Sequence, residues 1–273
     1  MRFTLYISIC LLIVLISCEE ITESKRAAQI VQKETYTRLE TGEKQAEKLY
    51  TYDLSGRLLK EQFIDIKFSS TGYEIQYEYD GLNRKTKMTA AYTDINAISS
   101  VEYEYEGTQL KVVKTFQGQS ETTKAEYFYS NHMNADSIQN FYMGNNGYIY
   151  SYTAIMTYDT SGRLIEERWR GDGVYITNIV TKMNVYSGDL LMETCNPLTH
   201  MPEGRNCIKN EYNAEGNLYR VYATLTGETD RLLEESIYQG NTIKAKKIFN
   251  QRDMMPAYNA DPTLYTMLVE YEY

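Results

Sequence analysis

Along most of this chain apolar and polar positions alternate one by one. In YEYD (77–80), YEYE (103–106) and the terminal VEYEY (269–273), tyrosine takes every second position, with glutamates between or beside. A period of two marks a β-strand, and this version of it predicts one aromatic face and one acidic face. The runs are separated by short segments holding Gly, Asn, Asp or Ser, which read as turns.

The turns recur. Tyr52, Tyr79, Tyr105, Tyr129, Tyr158, Tyr186, Tyr212 and Tyr238 each precede one, with steps of 27, 26, 24, 29, 28, 26 and 26 residues. Near-constant spacing of this kind marks a repeat, and each unit reads as one β-hairpin plus a connection. In the long form, YDLSGRL, YDTSGRL and YNAEGNL, a three-residue loop places Gly56, Gly162 or Gly216 in the left-handed region; in YDGLNRK, Asn83 fills that slot. Asp53 with Arg57, Asp80 with Arg84 and Asp159 with Arg163 can then close the hairpin mouth. In the short form, YEGTQL, YSGDLL and YQGNTI, Gly107, Gly188 or Gly240 opens a two-residue loop of the type II′ kind. Both forms set the tyrosine opposite a residue of the returning strand: Tyr52 against Leu58, Tyr105 against Leu110, Tyr158 against Leu164, Tyr186 against Leu191 and Tyr238 against Ile243.

The expected fold is therefore all-β, an antiparallel array of about eight hairpin repeats of roughly 26 residues, with strands ordered in space as in sequence. About 16 to 19 strands at ~4.8 Å each would form one extended sheet of order 80 Å, which curls to bury its tyrosine face. On the outer face the same counting sets Glu104 opposite Lys111 and Glu235 opposite Lys246, a solvated charge lattice.

The motif YD-x-x-G-R-L at this period resembles the YD repeats of the Rhs family, over about residues 36–273, with the clearest matches at 50–59, 77–86, 158–165 and 212–218. The resemblance implies a spiralling sheet of hairpins that encloses a cargo. A toxin-enclosing role is not expected here, because the repeats are too few to close a shell and no self-cleaving segment or toxin follows VEYEY.

The first residues carry Arg2 and then a mostly apolar run from Ile7 to Ile16, too short to span a bilayer as a mature helix, which reads as a signal peptide (1–17). Its end, Leu15-Ile16-Ser17-Cys18, resembles the lipobox of bacterial lipoproteins, in which the cysteine is lipidated; the alternative is an ordinary secretory signal with a chance cysteine. Cys18 would then be the anchor, residues 18–28 a polar tether, and 29–273 the repeat domain. Glu19-Glu20 resembles the acidic export signal of some Gram-negative lipoproteins, so the expected location is the outer membrane or cell surface.

Removing residues 1–17 leaves 27 basic against 37 acidic residues. That balance opposes phosphate backbones and anionic lipid, so no nucleic-acid partner is expected and the membrane is held through the lipid. Cys195 and Cys207 flank the loop NPLTHMPEGRN in an exported chain and read as a disulfide. Two free thiols or a metal site are the alternatives, although a metal would want more ligands than these cysteines and His200.

Chemistry is sparse. His132 and His200 lie in polar loops outside any triad pattern, and no nucleotide or zinc-protease motif occurs, so neither an enzyme nor a cofactor or metal is expected. The expected function is a non-catalytic binding or scaffolding module with a protein or glycan partner. The alternatives are a glycan-binding module using exposed aromatics, or a fragment-like relative of the Rhs shells. Candidate ligand contacts are Trp169, beside the glycine-bearing loop of ERWRGDGVY, with Tyr175 and His200; the RGD at 170–172 is too short to carry weight.

Overall fold

In the computed structural model, residues 30–39, 41–66, 72–93, 97–130, 133–171, 179–196, 206–224, 230–249 and 267–273 are described, and all that follows concerns these. Their strands are β1 (Lys33–Arg38), β2 (Lys44–Tyr52), β3 (Leu58–Asp65), β4 (Gly72–Tyr79), β5 (Lys85–Tyr92) and β6 (Ala97–Glu106). There follow β7 (Gln109–Gln117), β8 (Ser120–Phe128), β9 (Ser137–Gly144), β10 (Gly147–Tyr158), β11 (Leu164–Gly171) and β12 (Ile179–Ser187). The last six are β13 (Leu190–Asn196), β14 (Asn206–Tyr212), β15 (Leu218–Thr224), β16 (Arg231–Gln239), β17 (Thr242–Ile248) and β18 (Met267–Glu272).

Each strand pairs antiparallel with the next in sequence, and β18 pairs with β1 from Lys33↔Glu272 to Arg38↔Met267. The sheet is thus a closed 18-stranded barrel, and the open curled sheet expected from the repeats is corrected. Closure removes the two bare edges that an open sheet would expose. The eight expected hairpins, β2–β3 to β16–β17, are present, and the pairing of β18 with β1 closes the ring between them.

The turn chemistry is as read. Gly56, Gly162 and Gly216 have φ of 81°, 79° and 78°, and Asn83 takes 64° in the same slot. Tyr52↔Leu58, Tyr105↔Leu110, Tyr158↔Leu164, Tyr186↔Leu191 and Tyr238↔Ile243 are all in register. Immediately beyond each of these pairs, however, the register shifts: Thr51 faces Lys60, so Leu59 is an extra, bulged residue. Lys111 and Lys244 are bulged in the same way. For that reason Glu104 faces Val112 rather than Lys111, and Glu235 faces Lys247 rather than Lys246. A bulge adds local twist, and repeated around a ring it helps the sheet to curve into closure.

The motif residues also do something that a single hairpin does not reveal. In the long turns the aspartate Oδ1 accepts the backbone N–H two and four residues on, as in Ser55→Asp53 at 2.8 Å and Arg57→Asp53 at 2.9 Å. The other oxygen holds the arginine Nε, at 2.7 Å for both Asp80–Arg84 and Asp159–Arg163. The arginine then continues to the following turn: Arg57 reaches Asn83 Oδ1 at 2.9 Å, while Arg84 and Arg163 reach the carbonyls of Gly107 and Gly188. Its guanidinium lies over the next latch ring, Tyr79, Tyr105 or Tyr186, at 5.3, 4.4 and 4.7 Å. Where the turn is short, bulged Lys111 and Lys244 cover Tyr129 and Tyr273 instead. The hydrogen bonds and charge of Arg84 and Arg163 hold the carboxyls of Asp80 and Asp159 below the usual aspartate range. Their stabilisation is therefore present at neutral pH and lost only as pH falls through the lowered values.

The tyrosines themselves close the loop of contacts. Tyr79 Oη donates to the carbonyl of Leu58 at 2.9 Å, and Leu58 is the residue paired with the tyrosine of the preceding unit. Tyr105, Tyr129, Tyr186, Tyr212, Tyr238 and Tyr273 reach back in the same way to Lys85, Leu110, Leu164, Leu191, Leu218 and Ile243. Tyr52 and Tyr158 complete the ring on Val31 and Ala135. The repeating tyrosine is thus a latch between hairpins. Replacing Tyr79 by Phe is expected to cost about 0.5–1.5 kcal/mol, as for one hydrogen bond lost from a part-buried carbonyl. Chemical denaturation reads this as a lowered midpoint at unchanged slope, and an unchanged midpoint would speak against the latch.

Burial tells which face lies inside. Tyr77, Met88, Ala90, Val101, Ala154, Ala223 and Val269 are buried and share the tyrosine face, while Ile98 and Val185 on the other face are more than half exposed. The crowded face is the concave one. The convex face carries ion pairs that run from strand to strand, among them Lys33–Glu272 at 2.9 Å, Lys60–Glu74 at 2.6 Å, Lys87–Glu102 at 2.9 Å, Lys114–Glu104 at 2.5 Å and Arg220–Glu235 at 2.8 Å.

Candidate functional site

A barrel of 18 strands at ~4.8 Å spacing and a tilt of ~40° has, for a circular section, a backbone radius of about 18 Å. Among the described residues, every closely packed pair of strands is a pair of neighbours around the ring. Among the described residues the largest fully buried side chains are only Val101 and Val269. Most inner tyrosines stay partly exposed.

The inner wall is not uniform. Two positions before the latch tyrosine, the strands from β18 through β8 carry Tyr271, Tyr50, Tyr77, Tyr103 and Tyr127, whereas β10, β12, β14 and β16 carry Met156, Asn184, Asn210 and Ser236. One half of the wall is aromatic and the other is small or polar. On the polar half Asn184 and Asn210 donate to the carbonyls of Leu164 and Leu191, the same acceptors that the latch tyrosines use.

The aromatic half encloses charge. Glu34 on β1 accepts Tyr36 Oη at 2.5 Å and Tyr50 Oη at 2.8 Å. Glu61 on β3 accepts Tyr77 Oη at 2.5 Å and Lys48 Nζ at 2.6 Å, and Lys48 lies 4.9 Å from the centre of the Tyr50 ring. Burial first, then the hydrogen bond to a carboxylate, pushes Tyr36, Tyr50 and Tyr77 well above the usual phenol range. Burial, with the neighbouring Tyr105 as a second cause, pushes Tyr103 up to about 12. These hydroxyls therefore stay protonated and act as donors at any physiological pH.

Above Lys48 runs a row of rings. Lys48, Phe63, Tyr73 and Tyr92 face one another in register across β2 to β5, and Tyr36 reaches the row over the small side chain of Ala46. Ring centroids are 6.1 Å apart for Tyr36–Phe63, 5.3 Å for Phe63–Tyr73 with planes 9° apart, and 6.3 Å for Tyr73–Tyr92.

Of the candidates named from sequence, Trp169 lies on the inner face opposite Ala154, away from this row. It is half-buried, stacked on Tyr152 at 4.4 Å, and donates Nε1–H to Glu167 at 2.6 Å. The ring is part of the inner wall. Cys18, Tyr175 and His200 lie outside the described residues. Cys195 and Cys207 face each other across β13 and β14 and are joined as a disulfide, with Cα atoms 4.0 Å apart. Glu193 lies close by, but sulfurs bonded to one another cannot serve as thiolate ligands. Sequence reasoning missed Glu34, Lys48, Glu61 and the ring row. The available signal was a charge two positions from an aromatic residue, Glu34 with Tyr36, Lys48 with Tyr50 and Glu61 with Phe63, which a strand places on one face, but it does not show which strands stand side by side.

No family model matches this sequence, and no curated protein matches it. Among solved structures, the chain is similar to one described as "TcdB2-TccC3-Cdc42", with TM-score 0.43 and 11% identity over 88% of this chain and 16% of that one. It is likewise similar to "TcdB2-TccC3-TEV", with TM-score 0.38 and 15% identity over 77% and 12%. A porin-like protein from Bacteroides uniformis gives TM-score 0.43 and 8% identity over 90% of this chain and 98% of that one. The chain thus spans about a sixth or less of the first two.

Proposed function

We propose that this protein is a lipid-anchored, non-catalytic binding module of the cell surface that takes its ligand on the inner wall of the barrel. The observation that carries the reading is the half-exposed aromatic wall: a face meant only as core would be covered, and this one faces the interior. The convex face supports a barrel that stands in water, since each Lys or Arg placed at the middle of a bilayer would cost about 2–4 kcal/mol. The lipid on Cys18 would supply the membrane contact. The carboxylates of Glu34 and Glu61 are engaged by phenols and Lys48, which suits recognition and structure rather than proton transfer.

Two measurements on the full chain test this reading. Cys18→Ala is expected to move the protein from the membrane to the soluble fraction; membrane retention would remove the anchor from the proposal. Asn140→Cys, on the inner face of β9, is expected to react with a small maleimide in the folded state. If that thiol reacts only after denaturation, the interior is closed to ligands and the inner-wall role fails.

A further inference from the structure

We infer that the ring row Tyr36, Phe63, Tyr73 and Tyr92 is a binding strip for a neutral oligosaccharide, a reading that rests on the inner-wall role proposed above. The strip is built by register. β3, β4 and β5, ~4.8 Å apart, each present a ring at the same level, and Tyr36 of β1 extends this ladder of π-faces across Ala46 of β2. A sugar ring presents C–H groups on its faces and hydroxyls around its rim. The electron-rich face of an aromatic ring attracts the first, and polar groups beside the strip satisfy the second.

Three features distinguish this row from the other inner tyrosines. The protein's own cations cover several of those others: Lys48 lies over Tyr50, Lys85 over Tyr77 and Arg84 over Tyr105. Among the described residues no Lys or Arg covers Tyr36, Phe63, Tyr73 or Tyr92. Next, Tyr73 Oη has no hydrogen-bond partner among the described residues although the side chain is half-buried, leaving a donor at the middle of the row. Finally, Tyr73 is the second residue of β4 and Tyr92 the last of β5, so the row lies toward the barrel mouth opposite the tyrosine latches.

Charge selects the class of glycan. Lys48 and Glu61 neutralise each other beside the strip, and the chain as a whole carries a net charge of -9. Polyanionic sugars would be repelled over distance, and Lys48, the cation in register with Phe63, is already held by Glu61. A neutral chain meets neither obstacle.

The test is isothermal titration of the intact mature chain with cello-, xylo-, manno- and malto-oligosaccharides, with polygalacturonate and a fatty acid as contrasting probes. Binding of at least one neutral oligosaccharide and not of polygalacturonate is expected. Phe63→Ala and Tyr73→Ala should each weaken it at least about tenfold, which corresponds to ~1.4 kcal/mol. Val185→Ala, exposed on the convex face, should leave it unchanged. Should the alanine variants fail to fold by circular dichroism, protection of Tyr73 from nitration by the bound sugar in the unaltered protein serves instead. Absence of binding by all four neutral sugars, binding of the fatty acid alone, or affinity indifferent to the ring variants and without Tyr73 protection would overturn the inference. Release of Cys18→Ala and labelling of Asn140→Cys are read separately, so loss of the glycan reading is distinguishable from loss of the binding-module reading.

Discussion

Deleting Met267–Tyr273 is expected to abolish the closed fold, not merely to shorten it. β18 hydrogen-bonds to β17 on one side and β1 on the other, so it is the strand through which the two ends of the chain meet. Its Val269 is among the two largest fully buried side chains, Tyr273 latches to Ile243, and Glu272 pairs with Lys33. Without it, β17 and β1 would face each other across a gap of one missing strand, and a gap of twice ~4.8 Å cannot be bridged by backbone hydrogen bonds. Two unpaired edges on a wide sheet also invite edge-to-edge association. The truncated protein should lose its cooperative melting transition and sediment as a mixture of larger species. A monomer that melts as the intact chain does would show that β18 is not the closing strand.

What the sequence made legible was local. The glycine and asparagine positions of the turns, and the pairing of each tyrosine with its leucine or isoleucine, follow from chemistry within seven residues, and they hold. The bulge after each pair was not legible, because an extra Leu59, Lys111 or Lys244 changes neither the composition nor the alternation that a reader can count. The same bulge moves the residue facing Glu104 or Glu235 by one position. Closure was invisible for a different reason: Lys33 and Glu272 are 239 positions apart, and nothing in KETYTR announces VEYEY as its partner. The candidate site shares that difficulty. Phe63, Tyr73 and Tyr92 stand in one row only because two separate strand pairings align them, while Trp169, the aromatic that stood out in composition, is stacked on Tyr152 and tied to Glu167. The tyrosine latch was half legible. Its period was plain, but its acceptor lies in the preceding hairpin, outside the repeat that a reader inspects.

Removing the carboxylate of Glu61 should be the most damaging single substitution on the inner wall. Lys48 and Glu61 are 2.6 Å apart with side chains only 20% and 12% exposed, and Tyr77 donates to the same carboxylate. Burial works against the Lys48 ammonium, but the hydrogen bond and charge of Glu61 more than reverse it, so the folded pKa lies above the ordinary lysine value. The stabilisation from Lys48 is therefore complete at neutral pH and is lost only as pH rises through that raised value. In Glu61→Ala the burial is no longer offset, the ammonium is stranded among Tyr50, Tyr73 and Phe63, and its pKa should fall below the usual range. A fully buried pair broken in this way costs 3–5 kcal/mol, and partial exposure reduces the expectation here to about 2–4 kcal/mol. The double variant Lys48→Met, Glu61→Leu should recover most of that loss, because no charge is left unpaired and the apolar replacements suit the rings around them. Denaturant titration of the two singles and the double gives the coupling, expected at about 1–3 kcal/mol. If the single losses simply add in the double variant, the pair is not a unit, and the aromatic half of the wall stands without its central ion pair.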